Sequence, residues 1–537
     1  MKKYIKLLAV FVAALPMGCT AHYIDINKNP YEVDKEDMAT DGYDMGSALS
    51  AIASTVISTD VNTAQFTDCL LGGPLGRYYS STIGSETTID NCNATNDWTR
   101  VFMSSDEIIP KLYTNLRELK AITEDPVALA IADVMKVAAM HRVTDTYGAI
   151  PYSQIGVGGK LTIPYDTQKA VYDKFFEELD NAINVLTENQ LGGISPKADP
   201  VYDGSAAKWC KLANSLKLRL AMRIVYADEA KAKTMAESAV NHPLGVFTSN
   251  SEMAVLKQSN FGDKGNPLYT AIKYNQVQGT NTGGDTHVAA DITTYMNGYN
   301  DPRRAAYFVP SLFEDAEFKY CGMRVGIERP ALTTTSYQYS GVNVTPQDPL
   351  VWISAAEVAF LKAEAEAIFH FNMGGTAEDF YNEGIRLSFS QWGVAGADSY
   401  LADETSKPAV YADPVGKNNY SKVLSTATIK WDDEAKPEEK QEKIIIQKWI
   451  ANFNLGNEAW ADYRRTGFPH FIPLSAEGNK SAGVVDSELG PRRMKYPQEE
   501  YTNNADNVAK AVAETLGGKD NMASRVWWDC NPATLVK

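Results

Sequence analysis

The chain has 537 residues, 44% of them hydrophobic and 22% charged, and its 51 Lys and Arg against 67 Asp and Glu give a formal charge of −16 at pH 7. That composition belongs to a globular protein with a real core, and the acidic balance excludes nucleic acid, whose phosphates must be neutralised by Lys and Arg. Six cysteines without any C-x-x-C spacing argue against a zinc site.

The first element is an export signal. Lys2, Lys3 and Lys6 precede an apolar run, Leu7 to Leu15, that ends in LPMGC. The run is too short to cross a hydrocarbon core of about 30 Å, which takes about 20 apolar residues, and it fits the apolar region of a cleaved signal. A cysteine just past the cut points to lipidation. We therefore expect a signal peptide over 1–18, a lipid on Cys19, a polar leash over 19–35 and a single folded body over 36–537. An ordinary cleaved signal with an incidental Cys19 is the plainer alternative.

Helical periodicity dominates the body. In KAVYDKFFEELDNAINVLTEN, residues Val171, Phe175, Leu179, Ile183 and Leu186 form one apolar stripe. GSAAKWCKLANSLKLRLAMRIVY repeats the pattern through Trp209, Leu212, Leu216, Leu220 and Ile224, with Ser205 as N-cap. The segment from Ile353 to Val394 predicts two helices broken at Gly374-Gly375, opened by Ser354 with Glu357 and by Thr376 with Asp379. The pair has about the length of a tetratricopeptide unit of roughly 34 residues. Farther on, Trp449, Phe453, Trp460, Tyr463 and Arg464 predict one aromatic-rich helix and its exit, read as core, with Asp462, Arg464 and Arg465 as structural ion pairs. Between the helices, residues 60–98, 249–291, 318–348 and 393–428 are long, non-repetitive and rich in Gly, Asn, Thr, Ser and Tyr. Loops of that length are functional or disordered, and their aromatics suit disorder poorly. Cys69 and Cys92 share one such stretch and could pair. The fold class expected is mainly α: tetratricopeptide-like helix pairs forming a scaffold, with a loop-rich irregular insertion carrying the binding face.

In order along the chain, HRVTDTYGAIPYSQI, KWCKLANSLKLRLAMRI, YMNGYNDPRRAAYF, SAAEVAFLKAEAEA, QKWIANFNLGNEAWADYRRTGFP and SRVWWD resemble the SusD/RagB family of nutrient-binding outer-membrane lipoproteins, in its SusD-like branch. The resemblance runs from Cys19 to within about ten residues of the end. It implies a helical fold, a lipid anchor in the outer membrane facing the cell surface, glycan binding, and a TonB-dependent SusC-like transporter as partner. No carboxylate pair, nucleophile–base couple or metal cluster stands out in the sequence, so we expect no cofactor and no catalysis.

Two constellations tempt toward chemistry and are read as structure. His141 and Asp145 stand four apart, but a metal site wants three or four convergent ligands, so they mark a helix end. Glu364 and Glu366 are two apart on a helix and face different ways, which prevents them from flanking one glycosidic bond. The loop aromatics differ, because no periodicity explains them. Sugar rings have apolar faces and a girdle of hydroxyls, and they call for flat rings among amides and hydroxyls. The candidates for glycan contact are Tyr78, Tyr79, Asn96, Trp98, Tyr274, Asn275, Gln276, Tyr337 and Tyr339. The function expected is capture of an oligosaccharide at the surface and its delivery to the transporter, with no metal involved. The rival from another class is an all-helical glycan-cleaving hydrolase or lyase, which needs an acid and a base on separate loops across one cleft.

Overall fold

The structure is a computed structural model that describes residues 42–535 apart from 258–259 and 263–264. The export signal, Cys19 and the leash lie outside the described residues.

The helices form largely where periodicity places them. Helix α1 (Tyr43–Ala53) packs on α2 (Ile109–Ile122). Helix α3 (Pro126–Tyr147) is capped by Asp125, whose side chain accepts from the Val127 N–H at 2.8 Å. Pro126 occupies the first turn, where a missing N–H costs nothing. Helix α3 pairs with α4 (Gln168–Glu188), and α5 (Ala206–Arg223) pairs with α6 (Glu229–Val240). After a short α7 (Pro267–Ile272) come α8 (Ala355–Phe369) and α9 (Ala377–Gln391), the most tightly paired of these elements. Gly384 makes their approach possible: a Cβ there would lie 2.8 Å from Cζ of Phe360. The expected caps are in place, with Ser205, Ser354 and Thr376 accepting from the N–H of Lys208, Glu357 and Asp379 at 3.3, 3.0 and 3.1 Å. The protein is mainly α, built on paired helices as the sequence reading expects.

Some expectations change. The single aromatic helix is two, α10 (Pro437–Ala451) and α11 (Gly456–Thr466), separated by Asn452–Leu455, where Asn454 takes φ 82°. The stretch 60–98 is not all loop, since Asp60 caps a helical turn that runs into a π-helix over Gln65–Gly72. Strands are short. Among them β1 (Tyr79–Ser81), β2 (Ala254–Leu256), β3 (Thr286–Val288) and β4 (Leu350–Ile353) form two antiparallel ribbons, β1 with β3 and β2 with β4. Cys69 and Cys92 do not pair; both are buried free thiols, and burial pushes the Cys92 thiol up to about 12.

An ionic clasp occupies the core where α3, α5, α8 and α11 meet. Glu458 accepts from Nε2 of His141 at 2.9 Å, lies 3.6 Å from Nη1 of Arg219, and is bonded by Arg223. Arg219 also grips Glu357 through two bonds of 2.7 and 2.6 Å, and Arg223 also bonds Asp145. Burial alone would raise the Glu458 carboxyl, but Arg219 and Arg223 outweigh it and hold that group well below the usual carboxylate range. The HRVTD motif is thus structural, as read, although it lies within the buried last turns of α3 and its Arg142 bonds Asp68. Glu364 is buried against Arg465, and Glu366 accepts from the Ala377 N–H at 3.0 Å, so the two carboxylates do separate work. Arg464 departs from the ion-pair expectation. It donates to the carbonyls of Asp145 and Arg492, with its guanidinium 3.6 Å from the Trp460 ring centroid and 4.6 Å from that of Trp528.

Segments far apart in the chain are joined directly. Nε1 of Trp449 donates to the Gly76 carbonyl at 2.8 Å, and Nδ2 of Asn457 to that of Thr67 at 3.1 Å. Nε1 of Trp528 donates to Asp145 at 2.8 Å, and Nε of Arg493 to the Tyr147 carbonyl at 3.0 Å.

Candidate functional site

Three of the candidate aromatics have no free face. Tyr78 is fully buried, stacked on Trp449 at 5.7 Å and edge-on to Phe453 at 5.5 Å, with its hydroxyl donating to the Trp449 carbonyl. Tyr79 opens β1, lies edge-on to Phe453 at 6.1 Å, and donates to Oδ1 of Asn454 at 2.6 Å. Tyr339 is buried against Phe313 at 5.0 Å and donates to Asp413 at 2.6 Å. The same Asp413 carboxylate accepts from the N–H groups of Lys417 and Asn418 at 3.1 and 2.8 Å, so Tyr339 is part of a loop anchor. The reason these three escape a periodic reading is that long-range partners bury them, not a helix or strand face.

The other candidates fall into two groups. Tyr274 is 56% exposed. Its neighbour Asn275, at φ 60°, donates to the Asp285 carboxylate at 3.1 Å, and Gln276 donates to the Thr280 carbonyl at 2.8 Å. The half-buried Tyr337 is joined to this loop, because its carbonyl accepts from the Thr282 hydroxyl. Asn96 and Trp98 sit elsewhere: Asn96 accepts from the Gln498 N–H at 2.8 Å and donates to Glu499 at 3.1 Å, while Trp98 is edge-on to Phe66 at 5.4 Å. The structure therefore brings Tyr274, Asn275, Gln276 and Tyr337 onto adjoining loops and leaves Asn96 and Trp98 apart.

Phe453 and Asn454, which Tyr79 contacts, line a cleft with a volume of about 470 Å³. Its apolar wall is Leu268 and Ile272 of α7, Leu350 of β4, and Phe453; its polar residues include Asn250, Ser354, Gln391, Asn452 and Asn454. Trp392, immediately after α9, adds an indole. The break between α10 and α11 is what supplies Asn452, Phe453 and Asn454, and Tyr78 and Tyr79 brace it from behind. Three polar atoms in this lining are buried without a protein partner: Oδ1 of Asn250, Oε1 of Gln391 and Nε1 of Trp392. Buried polar groups are ordinarily paired. These three atoms are closed to solvent and so do not face the cleft; it is the aromatic, amide and hydroxyl residues of the lining that suit a ligand with an apolar face and hydroxyls.

Among the described residues the lining contains one carboxylate, Asp348, which accepts from the N–H and hydroxyl of Thr345 at 2.8 and 2.7 Å. No acid–base pair faces across the cleft among them, and no group of three or more His, Cys, Asp or Glu among the described residues is placed to hold a metal ion. The sequence reading missed Gln391, Trp392, Asn452 and Asn454. The available signals were the Asn-Phe-Asn-Leu-Gly run, a breaker cluster inside an apolar pattern, and the Trp-Gly pair closing a helix.

A family model described as SusD and RagB outer-membrane lipoprotein, SusD-like, matches residues 25–529. Among solved structures, a SusD homolog from Bacteroides uniformis is 58% identical with a TM-score of 0.88, the match covering 91% of this chain and 100% of that one. A SusD homolog from Bacteroides ovatus is 37% identical (TM-score 0.82; 91% and 99% covered). A chitin-binding SusD homolog from Flavobacterium johnsoniae is 34% identical (TM-score 0.82; 91% and 99% covered). No curated protein matches the chain.

Proposed function

The chain belongs to the SusD-like family of outer-membrane lipoproteins, and from that premise we propose that it captures oligosaccharide at the cell surface and passes it to a TonB-dependent SusC-like transporter without cleaving it. The observation that carries this reading is the cleft lined by Trp392 and Phe453 together with the amide-bearing Asn250, Gln391, Asn452 and Asn454, a lining that suits a sugar better than a reaction. The exposed Tyr274 and the half-buried Tyr337 extend the contact surface on adjoining loops. The chitin-binding relative supports a glycan as the ligand class and puts chitin oligomers on the list to be tried. In this reading residues 1–18 direct export, Cys19 carries the lipid, 19–35 form the leash, and 36–537 form one body. Among the described residues no helix is long and apolar enough to cross a membrane.

The test is a glycan-array screen of the purified protein, with titration of each hit and chromatography of the bound glycan after prolonged incubation. Binding without turnover, and co-purification with a TonB-dependent transporter from the outer membrane, are expected. Turnover of a bound glycan at catalytic protein levels overturns the reading. Replacing Cys19 by Ala is expected to abolish palmitate incorporation and membrane retention.

A further inference from the structure

We infer that the end of the body where the leash arrives is a membrane-contact face, on which Tyr43, Ile122 and Leu191 enter the lipid–water interface. This goes beyond the proposed function and rests on its reading of Cys19 as the anchor.

Topology brings the three residues to one end. The described chain starts at Gly42, one residue before α1. Helix α1 packs on α3, and Arg142 near the end of α3 bonds the Val56 carbonyl just past the end of α1, so the two run in the same direction. Helix α2 reaches the start of α3 through Thr123–Asp125 alone, which puts Ile122 at that end. Nε2 of Gln168, the first residue of α4, donates to the Thr144 carbonyl at 2.8 Å, so α4 runs the opposite way. At 1.5 Å per residue, α4 is about 30 Å long and α3 from Pro126 to Thr144 about 27 Å, so α4 ends level with the start of α3 to within a turn. The connection that carries Leu191 then closes onto α1: a Cβ at Gly46 would lie 2.9 Å from Cα of Ala198.

Tyr43 is 65% exposed, Ile122 48%, and Leu191 fully exposed. Exposed apolar side chains scattered singly are ordinary. Here three gather at the end to which the leash is attached. A tyrosine, with an apolar ring and a polar tip, suits the headgroup level of a bilayer, and Leu and Ile supply apolar area. The exposed charges at this end carry both signs, Lys120 and Lys197 against Glu124 and Glu188, so the contact rests on apolar area and not on attraction to anionic lipid. Cys19 and Gly42 are 23 residues apart, a span of no more than about 78 Å. Anchoring at that distance presents this end to the bilayer at high effective concentration, so a weak contact suffices. Leu161 is as exposed as Leu191 but precedes α4, at the far end of that helix, and serves to mark the opposite pole.

The experiment tethers residues 20–537 to phosphatidylcholine vesicles through an N-terminal hexahistidine on nickel-chelating lipid, so it does not depend on acylation of Cys19. Gln190→Cys reports this face and Lys160→Cys the far pole. Each is read as the rate of labelling by a water-soluble maleimide, peptide by peptide, with and without vesicles. Labelling about fivefold slower on vesicles is expected at 190, and no change at 160. Combining Ile122→Ser with Leu191→Ser, both exposed and so without effect on melting, should bring the rate at 190 back to within about twofold of its value in solution. Equal rates at 190 with and without vesicles overturn the inference, as does protection at both positions, protection that persists in the double variant, or protection that requires phosphatidylglycerol in the vesicle. Slow labelling at 190 without vesicles that deepens with protein concentration assigns the face to a second copy and also overturns it. Palmitate incorporation by the wild type decides the anchor separately, and the tethered measurement decides the face whichever way that falls.

Discussion

Glu458→Gln tests whether the ionic clasp holds the helices together. The carboxylate is nearly buried and is the group shared by His141 of α3 and by Arg219 and Arg223 of α5. Removing one partner of a buried ion pair costs about 3–5 kcal/mol, because the remaining charge is left uncompensated. Here both arginines keep a second carboxylate, Glu357 for Arg219 and Asp145 for Arg223, and the glutamine oxygen can still accept one bond. The neighbouring void of about 20 Å³, lined by His141, Arg142 and Arg219, has room for about one water, and a water does not replace a charge. The expected loss is therefore at the low end, about 3 kcal/mol. Denaturant unfolding read by far-UV circular dichroism measures it, with Asp398→Asn as control, since the Arg386–Asp398 pair is 56% and 83% exposed and pairs of that kind contribute little. A loss below about 1 kcal/mol, the scale of a single neutral hydrogen bond, would refute the argument that charge compensation decides the stability of this core.

Trp209→Ala should destabilise by about 3–5 kcal/mol, because the ring is fully buried edge-on to Tyr202 and its Nε1 donates to Asp199 at 2.8 Å; the check is the same unfolding experiment. Tyr79→Phe should cost about 1 kcal/mol through the lost bond to Asn454 and should weaken binding in the cleft that Asn454 helps line, measured by titration. Tyr274→Ala and Tyr337→Ala should leave melting unchanged while reducing affinity for long glycans, and loss of folding in either would place those rings in the core. Acid should destabilise the protein in a definite window. Burial holds His287 at about 4 against an ordinary 6.5, so the ring is neutral in the fold and protonation favours the unfolded chain. Up to about 3 kcal/mol is then lost as pH falls from 6.5 towards 4, and a pH series of unfolding free energies should flatten in that window for His287→Gln.

The helical frame was legible because its signals are local. Ser205, Ser354 and Thr376 announce helix starts within three residues, and the stripe through Trp209, Leu212, Leu216 and Leu220 repeats at the helical period. Family membership was legible through six ordered motifs. Tyr78, Tyr79 and Tyr339 were misplaced because what buries them comes from elsewhere in the chain: Trp449, Phe453 and Asn454 for the first two, Phe313 and Asp413 for the third. The cleft was missed for a related reason. Asn452–Leu455 looks like the middle of a helix until Gly456 is seen against Gly72, where a Cβ would come within 2.3 Å of the Gly72 carbonyl carbon. That contact requires a residue without a Cβ at 456, and the break just before it delivers the asparagines to the cleft.

The bonds joining Gly76 to Trp449, Thr67 to Asn457, Asp145 to Trp528 and Tyr147 to Arg493 govern when the molecule can become itself. Loop-closure entropy must be met before such distant contacts contribute, so the bonds at Thr67, Gly76, Asp145 and Tyr147 form only once the last hundred residues have been made. Until then Tyr78 lacks Trp449 and Phe453, and the cleft lacks Asn452, Phe453 and Asn454. The C-terminal segment thus acts as a clock as well as a structural element. A nick or truncation there would undo the region first synthesised, far away in sequence, before it disturbed the paired helices in between.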